Sequence, residues 1–155
     1  MLTSSVTTEM ITFFVSWVRD TSLSVWPEII VTDCNQVQIV ALEIVYPQSW
    51  IYLCMWHVLH TIWTHFVTSQ FQGLWEKIKY LVVTEDLLMF FDIWDEISSN
   101  PLAPKSIVKY LQTEWLLVLH MWSGTARKNQ SIFVEGNTNM LIEAYVVYFF
   151  AEITS

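Results

Sequence analysis

The chain has 155 residues, of which 54% are hydrophobic and 14% charged, with a formal net charge of −8. That length suits one domain around a single core, and three glycines with four prolines exclude a disordered or loop-rich chain. Two arginines and five lysines argue against this segment alone gripping a phosphate backbone, whereas an excess of carboxylates suits divalent cations.

The first predicted element is a helix that opens at Ser4-Ser5-Val6-Thr7-Thr8-Glu9, with Glu9 placed for a capping box. Ile11, Phe14, Val15 and Val18 recur at helical spacing and should face inward, and the helix should end over 20–24. Pro27 precedes Glu28-Ile29-Ile30-Val31-Thr32, a β-branched run that reads as a buried strand closed by Asp33. A short helix is expected over 36–45, with Val37, Val40, Ala41 and Ile44 inward, stopped by Pro47. A second strand over 49–53 completes a parallel β-α-β unit, which puts Asp33 and Cys54 at strand carboxyl ends, where such units place functional groups.

Beyond Met55 the pattern turns helical, with helices expected over 57–68, 71–83, 84–98 and 104–122. Thr84 is the expected N-cap of the third, with Glu85 and Asp86 in its first turn. Ser98-Ser99-Asn100-Pro101 and Arg127-Lys128-Asn129-Gln130 read as loops. Asn137 or Asn139 should cap a last helix that runs to Phe150. Met1 to Thr8 lacks the positive charge and apolar run of a signal peptide, and no stretch reaches the length of a membrane span. No disulfide is expected of Cys34 and Cys54, so reduced intracellular thiols are the default.

Three groups of residues could carry chemistry. Asp33 at a strand end and Glu143 on a helix are suited to converge on divalent ions from different elements, as metal-dependent phosphoryl transfer requires. The plainer reading is that Asp33 caps a helix and Glu143 lies on a solvated face, although apolar neighbours surround Glu143. Cys54-x-x-His57 has the spacing of half a zinc site, which His60, His65 or His120 could complete; a packed cysteine and a hydrogen-bonded histidine is the alternative. Nine tryptophans include Trp56 with Trp63 and Trp115 with Trp122 at seven-residue spacing. These could stack on unpaired bases or simply fill a core. A chain this apolar should also expose some of that surface, either as a docking face or because it is a piece cut from something larger.

Pro27-Glu28-Ile29-Ile30-Val31-Thr32-Asp33, Ala41-Leu42-Glu43-Ile44-Val45-Tyr46-Pro47 and Leu53-Cys54-Met55-Trp56-His57 together resemble the core of Mutator-like element (MULE) transposases. The fungal members are the most similar, with a Trp-rich helical insert and a closing Asn-Met-Leu-Ile-Glu-Ala like that at 139–144. The resemblance implies an α/β, partial RNase H-like fold with few strands and a large all-helical insertion. It implies a partial core over 1–54, the insertion over 55–135, and a closing helix of the core over 136–155. By the same resemblance Asp33 matches the second catalytic Asp and Glu143 the catalytic Glu, both binding Mg²⁺ or Mn²⁺. Cys54 and His57 match the family's C-x-x-H element.

The implied activity is metal-dependent DNA cleavage and strand transfer in the nucleus. DNA would be the partner of the full-length family, a homo-oligomer is allowed for, and no membrane is expected. Two departures qualify that expectation. The family's first Asp lies on a strand upstream of the first helix, so it is expected upstream of Met1. Asp20 cannot substitute, because it falls at a helix end. Val146-Val147-Tyr148-Phe149-Phe150 is apolar where the family carries His and Lys. The chain alone is therefore expected to be inactive. The alternatives are a non-catalytic helical protein–protein interaction module or transposon remnant, and a zinc-binding helical domain using Cys54 and His57.

Overall fold

The structure, a computed structural model, describes residues 7–21, 26–65 and 72–128. The described elements are helices and two short parallel strands, an α/β architecture that is helical in bulk. The chain divides into two compact units, Met1–Leu53 and Cys54–Ser155.

In the first unit, helix α1 spans Thr8–Thr21. Thr7 is its cap: the Thr7 hydroxyl accepts the Met10 N–H at 3.4 Å, satisfying one of the N–H groups that a helix start leaves without a partner. At the other end the Thr21 hydroxyl donates to the Trp17 carbonyl at 2.8 Å. Strand β1 covers Ile29–Thr32, helix α2 Gln36–Val45 and strand β2 Trp50–Leu53. The strands are parallel, in a register that pairs Ile29 with Trp50 and Thr32 with Leu53. Asn35 starts α2, its side-chain oxygen accepting the N–H groups of Val37 at 2.9 Å and Gln38 at 3.4 Å. The Ser49 hydroxyl donates to the Pro27 carbonyl and fastens the two strand starts together.

Helix α1 packs on α2. Arg19 helps to hold them, reaching the Val45 carbonyl at 3.5 Å and lying 5.9 Å from the Trp26 ring centre. Thr32, Ile39, Ala41, Val45, Tyr46, Tyr52 and Leu53 are buried, but no residue of α1 is. Two inward assignments fail. Ile44 is 59% exposed and Phe14 is 54% exposed. Every position of α2 except Gln36, Gln38 and Glu43 is apolar, so periodicity cannot set its phase. In α1, Met10, Phe13, Phe14 and Trp17 form a second apolar stripe that competes with Ile11, Val15 and Val18 in the pattern.

In the second unit, α3 spans Met55–Thr64, α4 Gln72–Val83 and α5 Leu87–Ser98. Helix α6, Lys105–Tyr110, continues as a π-helical turn over Leu111–Trp115 and a 3₁₀ turn over Leu116–Val118. Then come α7, Leu119–Trp122, and α8, Gly124–Arg127. The core is built from Val58 and Ile62 of α3, Ile78 and Val82 of α4, Phe90 and Ile97 of α5, and Trp122 of α7. Trp122 lies 6.0 Å from Phe90 and 6.1 Å from Trp115, and its indole N–H donates to the Trp115 carbonyl at 2.8 Å. That bond gives a polar acceptor a partner inside the core, at the point where the helix leaves regular α geometry.

Three expectations for this unit are corrected. The stretch 104–122 is not one α-helix; the π and 3₁₀ turns interrupt it. Thr84 does not cap α5. It is buried, and its N–H still bonds the Tyr80 carbonyl as the last turn of α4, so the cap passes to Asp86, whose carboxylate accepts from Leu88 and Met89 at 2.8 and 3.2 Å. Arg127 is not on a loop; it ends α8 and is buried. Gly124 explains how α8 can lie so close. A Cβ there would stand 2.5 Å from the carbonyl oxygens of Val83 and Thr84, so only glycine allows the approach. No helix among the described residues is long and apolar enough to cross a membrane.

Candidate functional site

The carboxyl end of the parallel sheet is set by Thr32 and Leu53, which pair; Asp33 and Cys54 are the residues that follow them. The Ile-Ile-Val run ends there because Asp33 turns the backbone. One oxygen of its half-buried carboxylate accepts the Asn35 N–H at 2.9 Å, an Asx-type turn that delivers the chain to the Asn35 cap. Asp33 is thus not the helix cap itself. Buried Thr32 reinforces the same loop, its hydroxyl donating to the Gln38 side-chain oxygen at 2.9 Å. The Asp33 carboxylate has oxygens enough to hold its loop and to serve as a ligand at once.

Cys54 opens the second unit at the N-terminal flank of α3, 1% exposed, its carbonyl accepting the Val58 N–H at 3.0 Å. It carries a thiol, as does Cys34. His57 lies in the first turn of α3, half-buried, with its ring edge-on to Trp56 at 4.9 Å. Trp56 in turn stacks flat on His60, at 4.8 Å and 5° between planes. The three histidines that could have completed a zinc set are spent differently. His60 stacks on Trp56, His65 stacks on Tyr110 at 4.0 Å with Nδ1 2.9 Å from the Thr61 carbonyl, and His120 lines a cleft. Among the described residues no three His, Cys, Asp or Glu side chains gather as a metal would need. The described residues do not themselves supply a metal-binding set around Asp33.

Glu143, the second carboxylate, lies outside the described residues, as do Asn137 and Asn139 and the closing helix they would cap. The tryptophan pairs separate. Trp115 and Trp122 are core residues, closed to any base. Trp56 and Trp63 are half exposed on α3, Trp63 resting 4.9 Å from Trp75.

An open cleft of about 600 Å³ lies within the helical unit, with Leu87, Leu116 and Leu117 on its walls and Glu85, Asp86, His120 and Lys128 among its polar groups. Its polar groups come from the α4–α5 loop and the C-terminal end of the described helices, two stretches with no common motif. No family model, curated protein or solved structure matches the chain.

Proposed function

We propose that the chain is a core segment of a MULE-type DDE transposase, an RNase H-like α/β domain carrying a helical insertion. Its ancestral chemistry is metal-dependent cleavage and strand transfer of DNA in the nucleus. The observation that carries the reading is the β1–α2–β2 unit, with Asp33 directly after one strand and the Cys54-x-x-His57 element directly after its parallel neighbour. In open α/β sheets, ligands bind outside the carboxyl ends of strands, so a carboxylate there is well placed for cations.

In this reading Asp33 and Glu143 hold Mg²⁺ or Mn²⁺ with a third carboxylate. The metal ions would supply Lewis-acid activation of the attacking oxygen and stabilise the leaving one. The chain's own share is to orient Asp33: Asn35 N–H and the Thr32–Gln38 hydrogen bond hold the loop that carries it. Asp33 and Glu143 are two of the three carboxylates this chemistry uses, and strand transfer needs the third.

The test compares this chain with a longer product that includes the coding sequence upstream of Met1, in a strand-transfer assay on terminal-repeat DNA with Mn²⁺. The expected result is transfer by the longer protein, lost on Asp33→Asn or Glu143→Gln, and none by the 155-residue chain. Robust transfer by the short chain, or an upstream frame without a strand ending in Asp, contradicts the proposal.

A second reading is a non-catalytic helical interaction module. Leu88, Leu102 and Leu117, each more than three-quarters exposed, favour it. It predicts that Asp33→Asn changes nothing measurable.

A further inference from the structure

We draw no further inference here: the strongest candidate, the open cleft of the helical unit between the α4–α5 loop and α7–α8, carries nothing, because Asp86 there already caps α5, the Ser123 and Thr125 hydroxyls bond each other, and nothing in the structure shows what fills it.

Discussion

The two units of this chain hold themselves together in different ways. In Met1–Leu53 the helices and strands are regular, and local hydrogen bonds fasten their ends: the Thr7 cap, the Asp33 turn, the Asn35 cap and the Ser49 bond to Pro27. Helix α1 has no buried residue at all. In Cys54–Ser155 most of the interior side chains are large, and they meet around Trp122, Phe90 and Trp115. The lesson is that hydrogen bonds within a loop can fix the direction of a side chain such as Asp33 without a large core beneath it.

Substitutions can break that contrast. The largest effect is expected for Trp122→Ala, which empties a fully buried indole site and strands the Trp115 carbonyl. It should cost about 3–5 kcal/mol in denaturant unfolding of the helical unit. A loss under about 1 kcal/mol would mean that the packing described around Trp122 is wrong. Gly124→Ala comes next. Its Cβ meets two backbone carbonyls that cannot step aside, so α8 must move, at about 1–3 kcal/mol. Near-neutral behaviour in a thermal melt would show that α8 does not lie against the end of α4.

Two caps sharpen the comparison, because each unit has one whose side chain holds two N–H groups. Asn35→Ala and Asp86→Ala each remove a side-chain acceptor from two N–H groups and should each cost about 1 kcal/mol. They should differ in reach. Hydrogen exchange should quicken in α2 and the Asp33 loop for Asn35→Ala, and at the start of α5 for Asp86→Ala. Identical exchange maps would show that the two units do not open separately.

The smallest expected effect is electrostatic. The Glu9 carboxyl is held below its ordinary value of 4.5 by its own backbone N–H and then by the Thr7 hydroxyl, against a slight opposing effect of burial. A carboxyl pKa depressed by folding adds stability above the unfolded value and loses it as pH falls through the folded one. The start of α1 should therefore loosen only below about pH 4.5. Thr7→Ala should move the Glu9 carbon resonance titration back toward the ordinary value. An unchanged midpoint would remove Thr7 as a cause.

What the sequence disclosed follows the same division. The parallel strands and α2 were legible because Pro27, the β-branched run, Asp33 and Pro47 punctuate them within a few residues. Asn35 was hidden behind Asp33, since two Asx residues in Asp33-Cys34-Asn35 offer rival caps and only the backbone decides. Thr84 misled for a similar reason: in Thr84-Glu85-Asp86 the first candidate is still tied to the preceding helix. The break in 105–122 left no trace in a run of leucines and tryptophans, because π and 3₁₀ turns use the same residues as α-helix. Arg127 looked like surface beside Lys128-Asn129-Gln130, and only tertiary packing buries it. Asp33 and Cys54 were found as strand-end residues, and the transposase-like pattern gave them a proposed role that geometry alone does not assign.

Asp33 is proposed as a metal ligand. The most direct measurement is Mn²⁺ binding to the purified 155-residue chain, followed by electron paramagnetic resonance of the free ion. The account predicts one weak site, with a dissociation constant of roughly 1 mM or below, lost on Asp33→Asn and on Glu143→Gln but kept in His120→Ala. No saturable binding, or binding that Asp33→Asn leaves unchanged, would contradict it.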